Sequence, residues 1–196
     1  MCKGSLDDIE KLCRDYIGSR LSPGRAAHCE RTFQKALELN GLYGVGLARS
    51  ALAQVTLLHD CAREATAAEI EKVLTAEKIA TVPGGSSNVG LLHGFAGALL
   101  VERDLGIKDK EVLEAISYHV TGRDEPSDLL TLQIISDLLE DGRPFRDLVP
   151  KPKNHSSLYG LGAAALGCKL AHCLDKNEFL IGDAVAAYNW YVRQTP

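Results

Sequence analysis

The sequence contains no hydrophobic run long enough to cross a membrane. None of its stretches approaches the ~20 consecutive apolar residues of a transmembrane helix, and its N-terminus lacks the apolar core of a secretory signal. Positive charge is not in excess either, because 22 Lys and Arg stand against 26 Asp and Glu, for a net charge of −4. We therefore expect a soluble, cytoplasmic protein that binds neither nucleic acid nor membranes. This charge balance leaves room for a locally basic pocket that binds a small anion.

Paired cysteine motifs are also missing. The six cysteines show no C-x-x-C spacing, and the chain is not a short secreted one. Zinc knuckles and disulfide frameworks depend on such patterns. We therefore expect most of the cysteines to be small, reduced core residues.

Strand-like alternation of apolar and polar residues is too short anywhere to predict a β-strand, whereas 3.6-residue periods recur along the chain. Capping and stop signals show where the helices begin and end. Ser22-Pro23, Thr66, Asp109 and Ser127 are predicted to open helices. Predicted helices include one ending near Gly18, one from Pro23 toward Gly41, and those over Ala67 to about Lys78, Leu91 to Leu105, Leu129 to Leu139 and Ser157 to Leu174. These patterns predict an all-α protein, and 196 residues fit one domain.

The most informative stretch is Leu57-Leu58-His59-Asp60, at the end of a helix-spaced apolar run. His59 lies four residues after Val55 and seven after Leu52, which places it on the inward stripe of that helix. A carboxylate buried beside it is unfavourable unless a cation or hydrogen-bond donors compensate its charge. A metal ion bound by both side chains would provide that compensation. In the alternative interpretation the doublet ends the helix, with His59 as a cap and Asp60 in solvent.

Polar residues stand on apolar helix faces or beside helix ends at other places in the chain. These are His28, His93, His119 and Asp137. Any one of them is most simply a buried side chain that is hydrogen-bonded to the backbone. Together with the doublet, however, they put six metal-ligating side chains on or beside the predicted helices of one domain. The other histidines, His155 and His172, are expected to be surface or packing residues.

The order of these residues resembles that of the HD-domain metal phosphohydrolases, with a first His, a His-Asp doublet and a distal Asp on helices. The flanking residues sharpen the resemblance. They are Arg25-Ala26-Ala27-His28, Leu57-Leu58-His59-Asp60-Cys61-Ala62-Arg63, Leu91-Leu92-His93-Gly94, Tyr118-His119-Val120-Thr121-Gly122-Arg123, Asp137 with Gly142-Arg143, and Ala187-Tyr188-Asn189-Trp190. In this register the chain is similar to the YqeK family of HD-domain hydrolases over about residues 22 to 193.

This resemblance implies a single-domain, HD-type helical bundle with a metal site in its centre. It implies an N-terminal helix over residues 1–21, an HD core over 22–146, and C-terminal helices over 147–196 that complete a nucleotide pocket. It also implies an enzyme that cuts diadenosine tetraphosphate symmetrically into two ADP. Whether the chain forms a homodimer is left open.

The resemblance further implies roles for individual residues. His28, His59, Asp60 and Asp137 would hold the metal, and Asp60, His93 and His119 would be catalytic. The metal is iron in the family, and imidazole and carboxylate ligands without thiolates also suit manganese. His93 and His119 would face the phosphates or hold a second ion, so either one or two ions are expected. The implied substrate-binding residues are His28, Asp60, His93, His119, Val120, Asp137, Arg143, Asp183, Ala187 and Tyr188.

The expected reaction is attack of a metal-bound hydroxide on an inner phosphorus, because a metal lowers the pKa of bound water from ~16 toward ~7. Arg143 would stabilise the charge on the departing ADP. His93 or His119 would donate a proton to the leaving oxygen or to a phosphate. Tyr188 would either stack on adenine or anchor the final helix in the core.

Other functions fit the same residues. One is an HD-domain phosphohydrolase that acts on other nucleotides, and another is an HD-fold di-iron oxygenase in which His93 and His119 complete the iron pair. A third is a nucleotide-binding domain without turnover. Product analysis, oxygen consumption and the effect of Asp60→Ala distinguish these functions.

Overall fold

The chain folds into α-helices, as its helical periodicity predicts. A computed structural model describes residues 6–82, 85–143, 149 and 151–195. Across these ranges no residue lies in a β-strand, and turns and two 3-10 helices, Gly85–Ser87 and Pro152–Asn154, join ten α-helices. The α-helices are α1 (Leu6–Gly18), α2 (Pro23–Tyr43), α3 (Arg49–Leu58), α4 (Ala67–Val73), α5 (Ala76–Ala80), α6 (Val89–Leu105), α7 (Lys110–Tyr118), α8 (Asp128–Leu139), α9 (Leu158–Asp175) and α10 (Gly182–Gln194). Within those ranges, no helix combines the length and the hydrophobicity that a bilayer crossing requires.

Short-range capping signals determine where several helices begin. The predicted caps Thr66, Asp109 and Ser127 each accept a hydrogen bond from a backbone N–H in the first turn of the following helix. One predicted helix boundary is wrong, because the helix expected over Ala67 to about Lys78 is two helices, α4 and α5. The chain is extended at Leu74, and the Thr75 side chain accepts a hydrogen bond from the N–H of Lys78 and thereby caps a new helix.

One hydrophobic core joins helices from all parts of the chain. Ile17 of α1, Phe33 of α2, Leu130 of α8 and Leu161 of α9 belong to the same buried cluster. A smaller cluster lies between α4 and α6, and another lies between α9 and α10 around Tyr191. The described parts of the predicted segments 1–21, 22–146 and 147–196 therefore pack into a single domain, while the boundaries between the segments stay a prediction.

The described cysteines behave as small core or partly buried residues. Cys13, Cys29 and Cys61 are buried, and Cys168 and Cys173 are partly buried. Within the described ranges no disulfide joins them. The sixth cysteine, Cys2, lies outside the described residues.

A glycine allows α6 to cross α7 at close range. A Cβ at Gly94 would lie 2.7 Å from the carbonyl oxygen of Ser117 and 2.9 Å from that of Ile116. Real Cβ atoms do not tolerate such distances to backbone, so a larger residue would push the two helices apart. The crossing places His93, the neighbour of Gly94, against His119 at the end of α7, with ring centroids 4.8 Å apart.

Candidate metal centre

The His59-Asp60 doublet lies at the C-terminal end of α3, inside the protein. His59 follows the last residue of the helix, and its backbone N–H donates to the carbonyl oxygen of Val55. His59 is fully buried, and Asp60 is 3% exposed. The doublet therefore ends a helix, as one sequence interpretation predicts. Its carboxylate is nevertheless buried, as the other interpretation requires, and does not face solvent. His119 follows the end of α7 in the same way.

Backbone carbonyls orient three of the buried histidines. The Nδ1 atoms of His59 and His119 lie 2.7 Å and 2.8 Å from the carbonyl oxygen of the residue three positions earlier. Nδ1 of His93 lies 3.1 Å from the carbonyl oxygen four positions earlier. A ring nitrogen that faces a carbonyl oxygen carries the proton, so Nε2 of the neutral ring keeps its lone pair. The Nε2 lone pairs of all three histidines are therefore available to bind a cation.

Asp60 lies between two pairs of these nitrogens. Its Oδ2 is 3.6 Å from Nε2 of both His28 and His59. Its Oδ1 is 2.9 Å from Nε2 of His93 and 3.6 Å from Nε2 of His119. Within each pair the two Nε2 atoms are close, at 3.3 Å for His28 and His59 and at 3.0 Å for His93 and His119. One carboxylate thus faces both pairs.

Asp137 of α8 adds a carboxylate oxygen to one of the two pairs. Its Oδ1 is 3.0 Å from Nε2 of His28 and 3.9 Å from Nε2 of His59. We call these two histidines with Oδ2 of Asp60 and Oδ1 of Asp137 the first donor group. The second donor group consists of His93, His119 and Oδ1 of Asp60.

Two arginines contact the carboxylates of the donor groups. Nη1 of Arg25 lies 3.0 Å from Oδ2 of Asp60. Arg143 contacts Oδ1 of Asp137, and its Nε donates to the backbone carbonyl of the same residue at 3.1 Å. Arg25 lies three residues before His28, and this spacing puts both side chains on one face of α2. That spacing is the sequence signal for Arg25, which sequence reasoning did not assign to the site.

Burial and pairing keep His59 and His93 neutral and the two carboxylates charged. Burial lowers the pKa of His59 to about 4. Burial also lowers the pKa of His93, against the opposite effect of Asp60. For Asp60 and Asp137 burial acts upward, but the facing histidines, and Arg143 in the case of Asp137, hold the pKa of both carboxyl groups well below their usual range.

The chemistry of these donors fits a divalent metal ion. Two Nε2 lone pairs that face each other across 3.0 Å repel unless a cation or a proton lies between them. Buried carboxylates likewise need a positive partner. The part of the chain that the structure describes offers two such groups, His28 with His59 and Asp60, and His93 with His119 and Asp60. The site therefore fits a divalent cation bound by imidazole nitrogens and carboxylate oxygens.

Known proteins identify the family of this site. No protein-family model matches the chain. A Staphylococcus aureus protein named symmetrical bis(5'-nucleosyl)-tetraphosphatase is 31% identical over 138 residues, which are 69% of this chain and 68% of that protein. This chain belongs to the symmetrical bis(5'-nucleosyl)-tetraphosphatase family. Proteins of the same name from Halalkalibacterium halodurans (29% identity over 174 residues, 88% of this chain and 91% of the relative) and Bacillus subtilis (26% over 184 residues, 90% and 94%) match most of their length.

A solved structure agrees with the fold of this tetraphosphatase-family chain. It is a Clostridium acetobutylicum protein described as a predicted HD superfamily hydrolase involved in NAD metabolism. The two chains share 28% sequence identity and a TM-score of 0.82, and the match covers 98% of this chain and 99% of that one. The predicted HD-type fold is thereby confirmed, as is the resemblance to this hydrolase family.

Two adjoining cavities, which we call the groove, lie beside the two donor groups in this tetraphosphatase-family chain, and cationic side chains line both. The cavity next to Asp60 and Asp137 has a volume of about 310 Å³, and Arg63 and Lys169 lie on its wall. Both cations also line an adjoining cavity of about 580 Å³. Nζ of Lys169 donates to the carbonyl oxygen of Val120 at 2.6 Å, and burial lowers its pKa against the effect of Asp137. In the smaller cavity Arg63, Arg143 and Lys169 are matched by Asp60, Asp137 and Glu178, whereas in the larger one Arg63 and Lys169 stand against Glu178 alone.

The implied substrate-binding residues outside the donor groups have different surroundings. Val120 lines both cavities of the groove, and Arg143 lines the smaller one. Asp183 lines a further cavity of about 440 Å³. Ala187 is fully buried, and Tyr188 packs against Gly167 of α9. Substrate contact by these residues stays a prediction.

Two side chains of the groove have no distinguishing pattern in the sequence. Lys169 and His172 line the cavity beside the donor groups. His172 is partly buried, which is compatible with the surface or packing role expected for it. α9 brings Lys169 and His172 beside the donor groups, which come from distant parts of the chain. Periodicity within one helix cannot reveal such a contact.

Proposed function

We propose that this protein hydrolyses diadenosine tetraphosphate symmetrically, to two ADP, with a metal ion bound by its histidines and aspartates. The observation that carries the proposal is the position of Asp60, which faces two pairs of Nε2 atoms beside a groove lined by cations. The names of the curated relatives supply the substrate class and the symmetry of the cleavage. A donor cluster with arginine and lysine side chains beside it is what a metal-assisted attack on a polyphosphate requires.

The first donor group is our proposed catalytic metal site. His28, His59, Asp60 and Asp137 would hold a metal ion there, and this ion would supply a nucleophile near neutral pH by lowering the pKa of water from ~16 toward ~7. Neutral imidazoles and carboxylates suit iron, with manganese as the alternative. The second donor group would hold a second ion or contact the phosphates through His93 and His119. Metal analysis of the purified protein distinguishes one ion from two.

The phosphate chain of the substrate would lie along the cationic side chains of the groove. Arg143 lies beside Asp137 and carries a planar guanidinium that can bind a phosphate through two hydrogen bonds. In the scheme we propose, this side chain stabilises the negative charge that develops on the departing ADP. Arg63 and Lys169 line both cavities, so they would contact the phosphates that lead toward the nucleoside.

The larger cavity would hold one nucleoside. Its volume is about 580 Å³, and its wall includes the apolar side chains of Leu91, Leu170 and Ile181. Phe179 also lines this cavity and is 70% exposed. Because Tyr188 packs on α9, Phe179 has the better placement to stack on adenine. The ring of Phe179 would then be the main contact for the base.

Asp60→Ala is the variant that tests this function. In metal-loaded protein we expect it to abolish ADP release from diadenosine tetraphosphate, because both donor groups lose a carboxylate oxygen. The assay measures nucleotide products and metal content together. Asp15→Ala is the matched control. Asp15 is an exposed residue of α1 whose carboxylate pairs with Lys11, so this variant should keep full activity.

Three outcomes would contradict the proposal. Asp60→Ala with unchanged activity would remove the donor groups from the reaction. Oxygen consumption without nucleotide release would favour the di-iron oxygenase, and hydrolysis of other nucleotides alone would favour a different substrate class. The homodimer and the cytoplasmic location stay predictions of the sequence.

A further inference from the structure

The ring of His28 is held differently from the other histidines of the donor groups. Its Nδ1 lies 3.2 Å from Oε1 of Glu140, whereas His59, His93 and His119 each face a backbone carbonyl. Glu140 is 1% exposed and follows the last residue of α8. The orientation of His28 therefore depends on a side chain, and a substitution can change it.

The carboxylate of Glu140 is itself fixed by further donors. Its Oε2 accepts hydrogen bonds from Nε of Arg31 and, at 2.8 Å, from the backbone N–H of Gly142. The backbone of Gly142 lies close to the same ion pair, because a Cβ there would be 2.6 Å from Nη2 of Arg31 and 3.0 Å from Oε1 of Glu140. The N–H of Arg143 donates to the backbone carbonyl of Glu140 at 3.0 Å. The turn from α8 to Arg143 therefore closes around this one carboxylate.

We propose that Glu140 is a positioning residue that makes the first donor group the tighter of the two metal sites. An anionic acceptor behind Nδ1 keeps the proton on that nitrogen and increases the basicity of Nε2 more than a neutral carbonyl does. It also holds Nε2 of His28 at 3.0 Å from Oδ1 of Asp137. Both histidines of the second donor group have only backbone carbonyls behind them. The proposal rests on the proposed function only in requiring that the donor groups bind a metal.

Glu140→Gln removes the charge but keeps an oxygen that accepts a hydrogen bond from His28. We expect the metal affinity of the tighter site to fall about 10–100-fold, measured by competition with a chelator for manganese or ferrous iron. Glu140→Asp, which keeps the charge, should recover part of that affinity. Glu30→Gln is the matched control, because Glu30 lies on α2 and pairs with Arg14 instead. It should bind metal as the unmodified protein does.

A second variant and a spectroscopic readout separate positioning from a purely structural effect. Arg31→Gln removes the other side-chain partner of Glu140 but leaves its contacts with His28 and with the N–H of Gly142, so we expect near-normal metal affinity. In the metal-free protein, nitrogen NMR of His28 should show the Nδ1–H tautomer, and Glu140→Ala should reduce its population. If Arg31→Gln loses as much affinity as Glu140→Gln, or if Glu140→Gln folds and binds metal normally, the proposal is overturned. If the unmodified protein binds neither metal, the proposed function itself fails.

Discussion

Some single residues contact more than one part of the candidate site. Asp60 directs one carboxylate oxygen to each donor group, and Arg143 contacts Asp137 while lining the groove. Phe179 differs from these residues. Its aromatic ring is 70% exposed, so it contributes little to the stability of the fold. Its ring lines two cavities, of about 580 Å³ and 440 Å³. Such a ring is available to a ligand.

We predict that Phe179→Ala raises KM for diadenosine tetraphosphate about tenfold and changes kcat little. Stacking of a base on an aromatic ring contributes about 1–3 kcal/mol, and in our proposal the reacting phosphates bind elsewhere in the groove. Steady-state kinetics of the metal-loaded protein measure both constants. Phe179→Tyr, which keeps the ring, should behave like the unmodified protein. An unchanged KM in Phe179→Ala would mean that the base binds at another surface.

Sequence patterns predicted the residues of the donor groups better than their arrangement. The spacing of His59 behind Val55 and Leu52 shows that it faces inward, because helical geometry is local. Which carboxylate oxygen faces which histidine depends on how separate helices pack, and no pattern within one helix contains that information. Sequence reasoning missed Glu140 for the same reason, because its contact with His28 joins residues that are 112 positions apart.

At the scale of helices, the donor groups depend on close packing at their ends. His59 and His119 each follow the last residue of a helix, where free carbonyl oxygens are available to orient the rings. The crossing of α6 over α7 then brings Nε2 of His93 to 3.0 Å from Nε2 of His119. Gly94 permits this crossing, because a Cβ would collide with two carbonyl oxygens of α7.

We predict that Gly94→Ala destabilises the fold by about 1–3 kcal/mol and lowers activity, because α6 must move away from α7. Urea unfolding measures the stability, and metal content with ADP release reports on the second donor group. Gly41→Ala is the matched control within a helix, since a Cβ there meets nothing within 4 Å. It should stabilise the protein by up to about 1 kcal/mol. Equal stability of both variants would contradict this account of the crossing.

Helix boundaries were predictable wherever a cap supplies a local signal. Thr66, Asp109 and Ser127 cap helices as predicted, since each accepts a hydrogen bond from an N–H within three residues. The break between α4 and α5 was missed, although Thr75 caps α5 in the same way. Continuous helical periodicity concealed it, because apolar residues at helical spacing continue through the break.

At the scale of the whole molecule, a chain with a net charge of −4 places three cationic side chains at one groove. Arg63, Arg143 and Lys169 line the cavity beside the donor groups, where Asp60, Asp137 and Glu178 match their charge. A divalent ion held by the two aspartates would leave this cleft with net positive charge, which raises the local concentration of an anionic substrate. The locally basic pocket for which the sequence leaves room stays a prediction, and this groove is its proposed place.

The most direct test of symmetrical, metal-dependent cleavage is phosphorus NMR of diadenosine tetraphosphate hydrolysis in ¹⁸O-labelled water. Attack of water on an inner phosphorus puts the label on the β-phosphorus of one of the two ADP molecules formed. The account predicts ADP as the sole nucleotide product, with half of its β-phosphates labelled, in metal-loaded protein and no reaction after metal removal. AMP with ATP as products, or label on an α-phosphorus, would contradict it.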